Sequence, residues 1–288
     1  MRASPEEPRE DSHPRPDGEA CVAAGHGLRP AADQRLFAIP VDELTDPPQS
    51  IPTRIAEALY RVAELVGAAA LLIVTSPILL IEALLIRLDS PGPVLFLHTR
   101  LGQSEKRYGR ELVDRSDIKP PAGGFEPDRL YWVPTTFQFV KFRTMIADAP
   151  IRYPELYWWN FEIDEEKFGE MYYKVEADPR LTRVGKWLRK STLDELPNFF
   201  SVISGHTRLV GPRPEAPGVA VHYSQAQMRK FAIKPGITCL SKIYGRGELT
   251  VGAQIALDME YVRTRSLWLD LKILVKTLTA TLSRRGAF

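Results

Sequence analysis

Cysteine is scarce in this chain of 288 residues: Cys21 and Cys239 are the only two. That excludes a disulfide framework and fits a reducing compartment. With no C-x-x-C and no H-E-x-x-H, a thiolate or histidine zinc site is excluded as well. There is no G-x-x-x-x-G-K-[ST] and no G-x-G-x-x-G, which removes the P-loop and the Rossmann dinucleotide site. An excess of one charge is also missing: 38 basic against 36 acidic residues leave a net +2. A general nucleic-acid binder would show a basic face or stripe, so no nucleic-acid partner is expected.

Proline is plentiful at the beginning. Residues 1–50 carry Pro5, Pro8, Pro14, Pro16, Pro30, Pro40, Pro47 and Pro48 among acids, arginines and alanines. Such a segment cannot bury enough apolar surface to offset its ordering entropy, and it reads as a disordered tail. It lacks the basic and apolar regions of a signal peptide. The run Leu36–Val41 reads as an apolar island within that tail.

Charge is then absent from Leu65 to Ile81, and apolar character continues to Leu88 past a single Glu82. This length suits a membrane helix or hairpin. Ser76-Pro77 lies near its centre, where proline removes a helical hydrogen bond and predicts a kink. The Thr75 and Ser76 hydroxyls are placed to satisfy the freed backbone groups. Arg54 and Arg61 precede the segment; Arg87, Arg100, Lys106, Arg107 and Arg110 follow it. Basic flanks mark the cytoplasmic side. Two basic flanks therefore predict a hairpin over 51–90 that enters and leaves by one leaflet, rather than a straight span.

Residues 91–288 read as a soluble α/β domain, rich in helix. Val94–Leu97 is a short strand candidate, and residues 104–135 look like an inserted loop. Phe137–Met145 alternates, with Lys141 and Arg143 on one face. An aromatic, charged segment from Tyr153 to Lys174 is expected to pack on the membrane side or to cover a site. Leu267, Leu271, Leu274, Leu278 and Leu282, widened by Trp268 and Val275, form a helical apolar stripe. It suits an interfacial amphipathic helix or an ordinary core contact.

The densest chemistry lies at Lys190–Asn198, where Asp194 and Glu195 stand side by side. Pro197 fits a first helical turn, and Thr192-x-x-Glu195 reads as a capping box. A helix N-terminus there would keep Asp194 ionised and favour a nearby phosphate. Arg189 precedes the pair, Arg213 sits between Pro212 and Pro214, and Arg246 lies in Gly245-Arg246-Gly247. Arginine suits bidentate phosphate contacts. Fixed arginines beside paired carboxylates suggest diphosphate chemistry with a divalent ion.

These pieces in this order resemble the bacterial sugar transferase family, the monotopic polyprenyl-phosphate phosphoglycosyl transferases, in their short form without further N-terminal membrane helices. The resemblance runs over about residues 54–288. Ser76-Pro77, KFRTM at 141–145, DPRLTRVGKWLRKSTLDELPN at 178–198, LVGPRPE at 209–215, KPGIT at 234–238 and LWLDLKIL at 267–274 carry it. It implies a re-entrant helix hairpin in the bacterial inner membrane, with a catalytic domain on the cytoplasmic face. The implied reaction moves a sugar 1-phosphate from a nucleotide-activated sugar, usually a UDP-sugar, to undecaprenyl phosphate. Asp194 matches the nucleophile and Glu195 its partner, with Mg2+ at the pair. Arg189, Arg213 and Arg246 match phosphate contacts, as do Lys141 and Arg143 more loosely. Membrane lipid is an implied partner, and a homodimer is left open. A catalytically silent scaffold for glycan assembly is the alternative. The chain departs from the family at Gly205-His206 and at Cys239-Leu240-Ser241-Lys242.

Overall fold

The computed structural model describes residues 35–43, 54–121, 123–157, 163, 165–173, 175, 177–245 and 248–282. Expectations for residues 1–34 and for Arg246 fall outside this set.

The apolar segment forms one helix, α1 (Arg54–Asp89), that runs through Pro77. It is the described helix long and apolar enough to cross a membrane. Its 36 residues reach about 54 Å, well beyond a hydrocarbon core of about 30 Å. At the expected kink the chain stays within one helix, and local hydroxyls explain why. Pro77 leaves the Ile73 carbonyl without its N–H, and the Ser76 hydroxyl donates to that carbonyl at 2.8 Å. Thr75 donates to Leu71 O at 2.7 Å. With the orphan satisfied in place, the helix continues.

A narrow stripe of α1 is buried: Glu64, Ala68, Leu72, Glu82 and Ile86. Many of its other apolar residues are exposed, including Val62, Val66, Ile73, Val74, Leu80 and Leu88. Both ends of the helix dock on the same domain. Near the start, Tyr60 donates to Asp270 at 3.0 Å, and the Leu209 N–H donates to Glu64 at 2.9 Å. At the end, the Val184 N–H donates to Asp89 at 3.1 Å.

Strands β1 (Leu36–Phe37) and β2 (Ile39–Pro40) come from the presumed tail. Leu36, Ala38 and Ile39 are buried, so these residues are not an isolated island. β3 (Leu95–Leu101) extends the strand expected at 94–97. The expected loop at 104–135 is ordered, and β4 (Glu105–Tyr108), β5 (Ile118–Lys119) and β6 (Leu130–Val133) form within it. β1 runs parallel to β5, and β2 pairs antiparallel with β6. The early apolar run and the inserted segment each lack a core, and each supplies what the other needs.

β7 (Thr136–Phe142) pairs antiparallel with β3, with Lys141 opposite Phe96 and Phe139 opposite His98. Helix α2 (Arg183–Ser191) and the short α3 (Phe199–Ile203) follow. β8 (Arg208–Val210) runs parallel to β9 (Gly236–Thr238). α4 (Leu240–Gly245), α5 (Val251–Thr264) and α6 (Leu267–Leu282) complete a mixed α/β domain. Val210, Ile233, Leu240, Tyr261, Val262 and Ile273 form the core beneath them. α6 buries Asp270 and Ile273 and leaves Trp268, Leu271, Val275 and Leu278 exposed. Its inner face serves the core, and its outer face remains apolar.

Candidate active site

Asp194 and Glu195 lie on a six-residue 3-10 turn, Leu193–Asn198, between α2 and α3. α2 starts cleanly, with the Gly185 N–H donating to the Thr182 hydroxyl at 2.9 Å. Gly185 has to be glycine: a Cβ there would meet the Thr144 carbonyl oxygen at 1.9 Å. The helix ends at Thr192, whose φ of 62° is left-handed. That conformation is costly for a β-branched residue and sits directly before the carboxylates. The capping box is absent. Thr192 makes no side-chain cap, and Glu195 turns instead to Lys242. A six-residue 3-10 turn also offers little dipole, so local cations take over the expected role of the helix N-terminus.

Those cations come from four places. Lys141 on β7, Arg189 on α2 and Lys242 on α4 all act electrostatically on Asp194. Arg213, in the rigid loop after β8, acts with Lys141 and Lys242 on Glu195. Asp194 is 7% exposed, and no hydrogen bond or ion pair among the described residues engages its carboxylate. Burial pushes the Asp194 carboxyl up and Glu195 adds to this, against the pull of Lys141, Arg189 and Lys242. Burial opposes ionisation of Glu195 too, but Lys242, Arg213 and Lys141 outweigh it and hold that carboxyl below its usual range. Lys141 is pushed down to about 8, first by burial and then by Arg189.

A supporting layer fixes these groups. Arg189 donates to Thr144 Oγ1 at 3.1 Å and lies 4.0 Å from Asp178, which Arg180 grips through two bonds of 2.8 Å. The backbone N–H of Arg213 donates to Asp258 at 3.1 Å. Asp258 pairs with buried Lys230 at 2.9 Å, and Lys230 reaches Glu215 at 3.4 Å. Glu215 in turn lies 3.6 Å from Arg100. The Arg213 guanidinium lies over the Tyr173 ring at 5.6 Å, and its buried Nε has no acceptor among the described residues. Tyr173 thus brings one residue of the aromatic segment against Arg213.

Arg143 does not join the cluster. Its guanidinium donates to Pro93 O at 2.6 Å and to Ser90 O and Oγ at 2.8 Å, closing the end of α1. It lies just past the last residue of β7, so strand alternation no longer aims it with Lys141. Sequence reasoning missed Arg100, Lys230, Asp258 and Lys242. Lys242 carried a signal, since it lies in a departure from the family pattern. Lys230 and Asp258 carried none, because nothing local announces a buried pair.

Adjacent carboxylates, one of them unengaged among the described residues, are the hard oxygen donors that magnesium takes, with water or substrate phosphate completing the shell. The residues present fit that ion. Around them, the cations suit a diphosphate.

The chain matches the bacterial sugar transferase family over residues 55–110 and 124–284. It is 32% identical over 247 residues to the UDP-glucose:undecaprenyl-phosphate glucose-1-phosphate transferase of Caulobacter vibrioides, covering 83% of this chain and 75% of that protein. It is 33% identical over 239 residues to an undecaprenyl-phosphate glucose phosphotransferase of Komagataeibacter xylinus, covering 79% of this chain and 36% of the other. Against the undecaprenyl-phosphate galactose phosphotransferase of Salmonella typhimurium, identity is 30% over 239 residues, covering 83% and 44%. The chain thus spans less than half of the two longer relatives. With most of its length matched and the carboxylate pair set in its ring of cations, the chain belongs to the bacterial sugar transferase family.

Proposed function

We propose that this protein transfers a sugar 1-phosphate from a nucleotide-activated sugar, a UDP-sugar, to undecaprenyl phosphate. That is the first membrane step of an exopolysaccharide, O-antigen or glycoconjugate. One observation carries the reading: Asp194, buried and without a partner among the described residues, stands beside Glu195 among Lys141, Arg189, Arg213 and Lys242.

An Asp194 oxygen attacks the sugar-bearing phosphorus, and the bond from that phosphorus to the nucleotide breaks. Nucleoside monophosphate leaves, and the sugar phosphate is held as an aspartyl phosphate. An oxygen of the lipid phosphate then attacks the same phosphorus, the bond to Asp194 breaks, and the free carboxylate returns. The ring of cations is set in place before charge develops. Asp194 and Glu195 would hold magnesium, which when bound would add charge neutralisation at the diphosphate.

Strand pairing supports the membrane arrangement we propose. Residues before α1, in β1 and β2, pair with residues after it, in β5 and β6. Pairing of this kind favours both flanks on one side of the membrane and so a re-entrant path, and the side we propose is the cytoplasmic face of the bacterial inner membrane.

A single-turnover experiment without lipid tests the chemistry. Purified protein mixed with a UDP-sugar should release about one equivalent of UMP in a burst and retain labelled sugar phosphate. Asp194→Asn should abolish burst, label and turnover. Normal turnover with lipid, but neither burst nor label without it, would mean direct attack by the lipid phosphate.

A further inference from the structure

One face of the β3–β7 pair leads away from the carboxylates. Residues directly opposite one another share a face, so Phe96, His98 and Arg100 stand with Lys141, Phe139 and Phe137. β7 packs against the turn that carries Asp194 and Glu195. Along this face cations and rings meet in pairs: Lys141 lies 5.4 Å from the Phe96 ring, and Arg100 lies 6.0 Å from the Phe139 ring. At the far end, Phe137 stacks on His206, with ring centroids 5.5 Å apart and planes within 7°. Phe137 is buried and His206 is exposed, so the imidazole is the ring of that stack open to a ligand. A cleft of about 200 Å3 opens there, lined in part by Gln103, Thr135, Phe137, His206 and Lys234. Pockets for drug-sized ligands run to about 300–1,000 Å3, so this one suits a single ring of a larger substrate. Gln103 is held by its Nε2, which donates to Ala232 O at 3.0 Å. Lys234 uses one of its three donors on Gly205 O at 2.8 Å.

We propose that this cleft holds the nucleobase of the nucleotide-sugar, stacked on His206, and that the base is a uracil-type imide. The inference rests on reading the protein as a transferase that attacks a nucleotide-sugar at Asp194. Position decides which end of the substrate reaches the cleft. The sugar is bonded to the phosphorus that Asp194 attacks, so it stays beside the carboxylates. The nucleoside hangs from the other phosphate and points away from them. At about 3.3 Å per residue, Phe137 lies about 13 Å along β7 from Lys141, a span that an extended nucleotide covers. Stacking tolerates any base, and the polar groups supply the choice. An imide edge carries one N–H between two carbonyl oxygens. Gln103 Oε1 accepts from that N–H, and Lys234 Nζ donates to a carbonyl. His206 also lies at one of the places where the chain departs from the family pattern.

Equilibrium dialysis of labelled UMP, CMP and inorganic pyrophosphate against the purified full-length chain in detergent tests this. Melting temperatures show that each variant is folded. His206→Ala should weaken UMP binding by about 5–100-fold, the range for one base on one ring, and leave pyrophosphate binding unchanged. His206→Phe keeps a ring against Phe137 and should retain most of the affinity for UMP. The wild type should bind UMP more tightly than CMP, and Gln103→Met should shrink that preference. If His206→Ala and Gln103→Met both bind UMP like the wild type, the proposal is overturned, and a wild-type burst of UMP from a UDP-sugar leaves the transferase reading standing. Equal weakening of UMP and pyrophosphate in His206→Ala also overturns it, because the imidazole would then act on the phosphates. A wild type that binds CMP as tightly as UMP overturns the choice of an imide base. If the wild type binds no UMP and releases none from any UDP-sugar, the transferase reading falls with the proposal.

Discussion

Lys242 holds Glu195 in an ion pair and donates a second bond, at 2.7 Å, to the Ile237 carbonyl. One carboxylate of the adjacent pair is thereby neutralised, and its neighbour Asp194 is left unengaged. Lys242→Met should strand Glu195 without its partner in a largely buried setting. A charge-assisted contact of this type is worth about 1.5–3 kcal/mol, or roughly ten- to a hundredfold in rate. The half-saturating magnesium concentration should fall, since a competing cation has been removed. Wild-type kcat in Lys242→Met would take this pair out of the mechanism.

Lys141 sets the alkaline side of the pH profile. Its ammonium is pushed down to about 8 by burial, with Arg189 adding to the effect. A lysine is charged below its pKa and neutral above it, so contact with the anionic substrate is lost as pH rises. We expect kcat/KM, which reports the free enzyme, to decline above pH of about 8. Lys141→Arg, charged throughout, should remove that limb. A limb at the same pH in Lys141→Arg would assign it to another group.

Lys230 stabilises rather than reacts. It is fully buried between Asp258 and Glu215, at 2.9 and 3.4 Å. Lys230→Met leaves buried Asp258 without its cation and Glu215 with Arg100 alone, which costs about 3–5 kcal/mol. Thermal unfolding in detergent should show a drop of many degrees. Because Asp258 also holds the Arg213 backbone, surviving protein should show a raised KM for the nucleotide sugar. An unchanged melting temperature would contradict the pairing.

Topology is open to labelling in intact cells. With Cys21→Ser as background, Cys239 is buried and silent. Asp42→Cys and Asp114→Cys place exposed thiols before and after α1. Neither should react with an impermeant reagent until the inner membrane is opened. Labelling of Asp42→Cys alone would mean that α1 runs straight across.

What could be read from the sequence followed local rules, and what could not depended on distance along the chain. Pro77 and its neighbouring hydroxyls are a local matter, and Ser76 does satisfy Ile73 O. Strand alternation placed Lys141 facing the site, but Arg143 lies beyond the last paired residue, and the end of α1 claims it. The capping box failed for a related reason. Thr192 takes a left-handed conformation that composition does not reveal, and Lys242, 47 positions from Glu195, outcompetes the local backbone. The island at Leu36–Val41 looked solitary because its partner strands lie about 80–90 residues later.

The buried stripe of α1 makes the membrane segment a wall of the catalytic domain. Ile86 packs in one cluster with Phe142, Leu188 and Leu193, and Leu193 is bonded to Asp194. A helix adjusts its tilt and bend to the thickness of the bilayer around it. In a bilayer, such an adjustment would push on the turn that carries Asp194. Turnover is therefore expected to vary with lipid composition, with a bilayer that is too thin or too thick acting on the turn before either substrate arrives.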